Sequence, residues 1–184
     1  MTIVLATTTL ALLTPLPASF SLSAELARPR EADLKAAFLF NFIRFTEWPA
    51  EEMAKKTSPF VIGILGKDPF GTALDKTVEG ETFQQKAIVI RRFARMDESV
   101  RDIQVLFIGS SEEGHLSAIL KLIEDQPILT VSEIDSFAER GGIIKLKKEN
   151  NRITFDVNVG AAKAAGLAMN AQLLRLAKIV KTQS

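Results

Sequence analysis

The 184-residue chain carries 23 lysines and arginines against 22 aspartates and glutamates, so its formal net charge is +1. This balance argues against nucleic-acid binding, which depends on a strongly basic surface. The chain contains no cysteine, which excludes disulfides, thiol chemistry and cysteine-ligated metals. Its length favours one domain, since single domains commonly hold about 100–200 residues.

The first 24 residues have the pattern of a secretory signal peptide. No charged side chain occurs between Ile3 and Phe20, and small residues follow in Ser21–Ala24. A buried N-terminal helix or a membrane anchor is the alternative, but a transmembrane helix needs about 20 apolar residues and prolines interrupt this run. The sequence therefore predicts export, with residues 1–24 as the signal peptide and residues 25–184 as the exported domain.

An aromatic helix is predicted to begin near Glu31 and to end at Trp48-Pro49, because proline disfavours helical geometry in the residue before it. Apolar residues recur every three or four positions along one predicted face, at Leu34, Phe38, Phe42, Phe45 and Trp48. Lys35 is expected to face water. Phe40 lies off this stripe, so either the helix is deeply buried or Phe40 belongs to a dimer or partner surface, where aromatic residues concentrate.

Four apolar runs of strand length alternate with predicted helices. The strands are Phe60–Gly66, Ala87–Ile90, Ile103–Ile108 and Ile128–Val131, and the helices are Asp68–Val78, Ser110–Glu124 and Ser132–Glu139. Asp68 is expected to cap the first of these helices, with Pro69 at its first position. Strands that alternate with helices imply parallel β-α-β units.

The C-terminal part of the chain predicts a hairpin followed by two helices. Two runs of alternating apolar residues flank Asn150-Asn151, and asparagine tolerates the positive φ of a tight turn. Gly166 separates the two helices, and Asn170 is expected to cap the second, which extends to Val180. The predicted fold is a three-layer α/β sandwich with a mixed, mostly parallel sheet, a C-terminal β-hairpin and flanking helices.

No residue pattern in the sequence predicts catalysis. His115 is the single histidine, and without a second histidine or a cysteine an exposed position at a helix start is favoured over acid–base or metal chemistry. The loop Gly66–Gly71 joins a strand to a helix but lacks the glycine spacing of a phosphate-binding loop. Gly66 and Asp68 are kept as candidates for a ligand contact, and no catalytic residue, metal site or cofactor is predicted.

Several strings of the sequence resemble the YfiR-like family of periplasmic proteins, in the same order and at matching spacing. The first is Lys35–Phe42 followed by Phe45–Pro49. The later strings are Ile64–Gly66, Val105–Ile108, Leu129–Ser132, Phe137–Gly142, Arg152–Asn158 and Leu173–Ala177. The resemblance covers the chain from about residue 31 to residue 180.

The resemblance implies a periplasmic α/β protein without enzymatic activity, often dimeric, that acts by binding other proteins. Its best-known members bind the periplasmic part of an inner-membrane diguanylate cyclase and hold it inactive. An OmpA-like outer-membrane lipoprotein can sequester the repressor, which releases the cyclase, raises cyclic-di-GMP and favours biofilm. Such members carry cysteine pairs, and the matching positions here are Gly63, Ile103, Ala138 and Lys145, so this chain cannot use redox control through those disulfides.

Candidate partner-binding residues come from the same strings. Asp156 and Asn158 are expected on the face of their strand opposite its apolar residues; alternatively, they satisfy backbone groups where the next helix begins. Lys163 in that helix and Arg152 in the hairpin could add charge for an acidic partner, and Phe40 is the apolar candidate. Under this hypothesis, Asp156→Ala weakens partner binding and leaves the thermal midpoint nearly unchanged.

Two functions from different classes are consistent with the sequence. The first is a repressor that binds an inner-membrane diguanylate cyclase through its periplasmic domain. The second is a periplasmic small-molecule sensor that gates another membrane signalling protein. Its pocket would lie at Gly66–Gly71, because ligands favour the carboxyl ends of strands in α/β sheets.

Overall fold

An eight-stranded mixed sheet forms the centre of the computed structural model, which describes residues 30–54, 58–95 and 102–183. The strands are β1 (Thr46–Glu47), β2 (Phe60–Leu65), β3 (Thr82–Phe83), β4 (Lys86–Phe93), β5 (Val105–Ile108), β6 (Leu129–Ser132), β7 (Ile144–Glu149), β8 (Arg152–Asn158), β9 (Ala168–Met169) and β10 (Lys178–Val180). The helices are α1 (Glu31–Arg44), α2 (Ala50–Met53), α3 (Thr72–Val78), α4 (Leu116–Leu122), α5 (Val159–Ala164) and α6 (Ala171–Leu174). A 3-10 helix, Ser110–His115, precedes α4.

The strand order of the large sheet is β10-β8-β7-β6-β5-β2-β4-β3. Five neighbouring pairs in it are parallel, and the pairs β7-β8 and β3-β4 are antiparallel. Strands β1 and β9 form a separate antiparallel pair. The prediction of a mixed, mostly parallel sheet with a C-terminal hairpin is therefore confirmed. Both residues of the predicted turn, Asn150 and Asn151, have positive φ, at 48° and 61°.

Helices cover the sheet on two faces, each over its own hydrophobic cluster. On β2, Phe60, Ile62 and Ile64 point to the first face, where they pack with residues of α1 and α3. Val61 and Leu65 point to the second face, where they pack beneath α4. A strand buried on both faces reads as a continuous apolar run, which is why this segment lacks polar alternation.

Helix α1 ends four residues earlier than the sequence predicts. After Arg44 the chain turns into β1, and the Thr46 hydroxyl donates a hydrogen bond to the Phe42 carbonyl at 2.8 Å. Pairing of β1 with β9, rather than Pro49, therefore ends the helix. The buried face is also rotated from the predicted stripe: it contains Lys35, Ala36, Leu39, Phe42 and Ile43.

Two loops replace predicted helical segments. Helix α3 begins at Thr72 instead of Asp68, because the Asp68 carboxylate accepts the backbone N–H groups of Phe70 (2.7 Å) and Gly71 (3.2 Å) and so forms a turn. The predicted helix Ser132–Glu139 is a series of turns. The Ser132 hydroxyl donates to the Ile108 carbonyl at 2.6 Å, which fixes the chain in an extended form where β6 ends.

The prediction of the last helix is mostly wrong. Helix α6 ends at Leu174, although the Asn170 side chain caps it as expected, accepting from the Gln172 N–H at 2.7 Å. Residues Lys178–Val180 form β10 instead, parallel to β8. Two β-branched residues beside an unpaired strand edge favour an extended conformation over a helix.

The predicted signal peptide, residues 1–24, lies outside the described residues. Within the described ranges, none of the helices combines the length and the apolar character that crossing a membrane requires.

A chain of four charges anchors α1 to the hairpin. Lys35, expected to face water, is instead buried, with its ammonium nitrogen 2.6 Å from a carboxylate oxygen of both Glu31 and Glu133. Lys148 of β7 lies 2.6 Å from the other oxygen of Glu31. Burial lowers the pKa of Lys35, but the hydrogen bonds to Glu133 and Glu31 outweigh it, so the pKa is raised and Lys35 stays charged.

We expect Lys35→Ala to destabilise the protein by about 2 kcal/mol, because it leaves two carboxylates without their shared buried cation. Lys148→Ala is the matched control. Its side chain is about half exposed, so its loss should cost at most about 1 kcal/mol. Urea unfolding of both variants checks this prediction, and equal losses would contradict the structural role of Lys35.

The ionisation of Glu31 makes part of the folding stability dependent on pH. Its hydrogen bonds to Lys148 and Lys35 lower its pKa from 4.5 to about 2. The unfolded chain therefore takes up the proton first, so the stabilisation from Glu31 is complete above pH 4.5 and is lost as the pH falls towards 2. The unfolding free energies of the wild type and Glu31→Gln should differ by no more than about 1 kcal/mol at pH 6, since Glu31 is partly exposed. This difference should shrink as the pH falls from 4.5 towards 2. A difference that stays constant would refute the dependence of stability on the ionisation of Glu31.

Candidate partner-binding surface

Most of the candidate residues lie on the polar face of the C-terminal hairpin. Alternation along β7 and β8 directs Ile144, Leu146, Phe155 and Val157 into the core cluster of the first face. The intervening residues therefore point to the second face, where Asp156 lies in register with Lys145 of β7 and Lys178 of β10. This part of the sheet has a row of charges where the rest of the second face has an apolar core.

Asp156 is buried beneath this row rather than exposed on it. Its side chain is 5% exposed, and one carboxylate oxygen lies 2.8 Å from the ammonium nitrogen of Lys147. Lys147 also lies 3.1 Å from Glu149. The hydrogen bond to Asp156 is the main cause of the raised pKa of Lys147. A buried aspartate held in this way contributes to stability, so Asp156→Ala is now expected to lower the thermal midpoint, contrary to the expectation from sequence.

Asn158 is a junction between three segments. Its side-chain oxygen accepts the N–H of Ala161 at 2.9 Å, which caps α5. Its amide nitrogen donates to the Ala138 carbonyl at 2.7 Å and to the Thr182 hydroxyl oxygen at 2.8 Å. The residue is 1% exposed. The alternative interpretation, that Asn158 satisfies groups where the next helix begins, is thus the geometry observed, and Asn158 also ties the C-terminal segment to the sheet.

Arg152 and Lys163 are exposed and flank this region. Arg152 begins β8 and pairs in register with Glu149, four residues before Asp156 on the same strand face. Lys163 lies in the last turn of α5, directly after the Asn158 cap. These two cations are therefore accessible to a partner, whereas Asp156 and Asn158 are buried.

Phe40 does not join this group, because α1 packs on the opposite face of the sheet. The neighbouring rings of α1 form a cluster with β8: the ring centroids of Phe42 and Phe155 lie 5.0 Å apart, and those of Phe38 and Phe155 lie 5.9 Å apart. Phe40 is half-buried against the same core, with the Arg44 guanidinium 5.9 Å from its ring centroid. Core packing thus accounts for most of the aromatic helix.

The loop that contains Gly66 and Asp68 is engaged by its own neighbours. Arg92, at the end of β4, places its Nε atom 2.8 Å from an Asp68 oxygen, and its Nη2 atom lies 2.7 Å from Asp75. The hydrogen bond from Arg92 lowers the pKa of Asp75. Gly66 has φ of +73° and packs against Ser111, whose hydroxyl accepts the Lys67 N–H at 2.9 Å. The Gly66–Asp68 loop at the carboxyl end of β2 is therefore held by contacts within the protein.

His115 is in the exposed position that the sequence favours, with 76% of its side chain accessible and its Nδ1 atom 3.4 Å from Glu112. Among the residues that the structure describes, no cluster of histidine, aspartate and glutamate side chains is arranged to hold a metal ion.

The fold and this surface define the class of protein. It is a doubly wound α/β protein whose Gly66–Asp68 loop is engaged by its own side chains and whose C-terminal sheet surface carries accessible cations. The chain belongs to the YfiR/HmsC-like family, whose model matches residues 32–178, from the first turn of α1 to the first residue of β10. Members of this family are periplasmic regulators of diguanylate cyclase signalling. A comparison with curated proteins found no match.

One pair of positions matched to the family's cysteines is in contact here. A Cβ atom built at Gly63 of β2 would lie 3.0 Å from the Ile103 side chain. The isoleucine thus fills the space beside the glycine, and the two positions pack by apolar contact. Sequence analysis named these positions from the resemblance, but their contact could not be found without the fold.

We expect Asn158→Ala to destabilise the protein by about 2–3 kcal/mol, because it removes a helix cap and two further hydrogen bonds from a buried site. Asn170→Ala is the matched control. It removes one exposed cap from α6 and should cost about 1 kcal/mol or less. Chemical denaturation of both variants provides the comparison. If Asn158→Ala were as mild as the control, Asn158 would not be a structural junction.

Proposed function

We propose that this chain is a periplasmic regulatory protein that binds the periplasmic domain of an inner-membrane diguanylate cyclase and represses it. The observation that carries the proposal is the family match over residues 32–178, since the family regulates diguanylate cyclase signalling. The proposal includes export through the signal peptide at residues 1–24. It also includes control of biofilm formation as the physiological outcome.

The contacts that hold the Gly66–Asp68 loop support this function over the small-molecule sensor. A ligand at Gly66 and Asp68 would have to displace Arg92 from Asp68 and separate Gly66 from Ser111. Repression by direct binding requires only a protein surface, and the surface beside β8 offers exposed cations. An acidic partner surface would complement them, which favours fast and specific association.

Two further partners belong to the proposal. An OmpA-like outer-membrane lipoprotein would sequester the repressor and restore cyclase activity, and the repressor would act as a homodimer. Light scattering of residues 25–184 tests the dimer directly, and a monomer at micromolar concentration would remove that part of the proposal.

The central test is an assay of cyclase activity. Residues 25–184 are added to the periplasmic side of a membrane diguanylate cyclase from the same organism. The protein carries its tag at the N terminus, because β10 lies close to the C terminus. We expect cyclic-di-GMP synthesis to fall at least about tenfold at saturation, equivalent to about 1.4 kcal/mol or more in favour of the inactive state. The cyclase should also be retained on the tagged protein.

The control is a diguanylate cyclase whose periplasmic domain has been deleted, which should be unaffected. Unchanged synthesis by the intact enzyme, with no retention at any protein concentration, would refute the repressor function. Increased synthesis would show that the protein activates its partner.

A further inference from the structure

Strand β10 forms an open edge of the large sheet. It pairs with β8 on one side, and the described part of the chain contributes no strand on the other side. The opposite end of the sheet is β3, a two-residue strand that forms a tight hairpin with β4. An open edge exposes backbone N–H and C=O groups in the spacing that an added strand requires. The edge of β10 is thus one place where this sheet can accept a further strand.

Exposed apolar residues accompany this edge. Leu176 is 76% exposed and Ile179 is 50% exposed, and they are two of the three large apolar residues found exposed in the described part of the chain. Single exposed apolar residues are common on protein surfaces. Two of them beside an open strand edge add apolar contact to the backbone hydrogen bonds that the edge offers.

The C-terminal segment that contains β10 carries positive charge. After Asn158 the sequence contains four cationic residues and no aspartate or glutamate. Three of these, Arg175, Lys178 and Lys181, are exposed in or next to β10. Lysines at an edge discourage pairing between two identical edges, because each copy brings the same charge. The same lysines attract an acidic strand, so charge selects a different protein over a second copy of this chain.

We infer that the edge of β10 is a docking site for an extended segment of a protein partner in which acidic and apolar residues alternate. Successive side chains of an added strand point to opposite faces of the sheet. Those on the second face would lie beside Lys178, and those on the first face beside Ile179. The inference rests on the proposed function, since the segment would belong to the membrane partner.

The candidate residues found from sequence help to position this edge. Lys178 is in register with Asp156, and Val180 is in register with Asn158. The hydrogen bond from Asn158 to Thr182 holds the chain directly after β10. The buried pair therefore positions the docking edge without touching the partner.

A designed peptide tests the edge without knowledge of the partner. The probe is a heptapeptide of alternating glutamate and valine, with a fluorescent label, and binding to residues 25–184 is followed by anisotropy at pH 7 and low salt. We expect the amides of Lys178–Val180 to gain protection from hydrogen exchange when the peptide binds. A peptide with two central prolines, which cannot form strand hydrogen bonds, should not bind. Nor should a peptide with lysine in place of glutamate.

Variants of the full chain locate the site. The double variant K178E/K181E should raise the Kd of the peptide at least about tenfold. The variant K76E/K121E has the same net charge but alters exposed lysines on α3 and α4, and it should change the Kd less than about twofold. Urea unfolding of both variants checks that they are folded, because Lys178 lies in register with the buried Asp156.

Three results would overturn the inference. The first is a peptide Kd that is unchanged in K178E/K181E. The second is equal binding of the proline peptide, which would indicate charge attraction without strand addition. The third is absence of peptide binding together with binding to vesicles of phosphatidylcholine and phosphatidylglycerol, which would indicate a lipid surface.

The cyclase assay separates this inference from the proposed function. If K178E/K181E represses the cyclase as well as the wild type does, the docking edge is wrong and the repressor function stands. If the peptide binds the edge but the wild-type protein does not affect the cyclase, the repressor function is wrong and the docking edge stands. Loss of repression in K178E/K181E, but not in K76E/K121E, would support both.

Discussion

The packing of Phe155 beneath the rings of α1 is the contact on which the C-terminal half of the structure depends. Its ring centroid lies 5.0 Å from that of Phe42 and 5.9 Å from that of Phe38. Because side chains alternate along a strand, burial of Phe155 on the first face fixes Asp156 on the second. A shift of register by one residue would place the carboxylate in the apolar core, so the aromatic contact also specifies the position of the polar row.

The burial of Asp156 has a consequence for β10. A carboxylate on a sheet surface is costly to bury unless a cation pairs with it, and Lys147 supplies that cation from β7. The edge strand lies beside the pair in the sheet, and Asn158 ties down the chain that follows. The position of β10 thus follows from an aromatic contact on one face and a polar junction on the other.

The sequence predicts the sheet well because local residue patterns are sufficient to identify most of its strands. The continuous apolar run of β2 and the Asn150-Asn151 turn need no tertiary information, and both are observed. The errors occur where a distant contact decides the structure. Pairing of β1 with β9 ends α1 at Arg44. Pairing with β8 places Lys178–Val180 in a strand, where the sequence predicted a helix. Lys35 was misplaced for the same reason, because its partner Glu133 is 98 residues away in the chain.

The candidate surface was predicted only in part. Alternation correctly assigns Asp156 and Asn158 to the polar face, but no local pattern shows that β10 pairs beside them. The signal that could have located β10 is the cationic and β-branched character of Lys178–Lys181, which suits an edge strand as well as a helix face. Phe40 was grouped with these residues because it lies off the predicted apolar stripe of its helix, and the sheet lies between them.

The engaged Gly66–Asp68 loop and the open edge of β10 together suggest how this fold is used. In doubly wound sheets the carboxyl ends of the strands usually hold a ligand, because helices diverge there and leave a cleft. Here Arg92 and Ser111 hold the Gly66–Asp68 loop at that end of the sheet. The C-terminal side of the sheet instead keeps unpaired backbone groups, apolar side chains and cations accessible. A protein partner can use all three at once, whereas a small molecule can use few of them, so the same scaffold serves protein recognition at its edge.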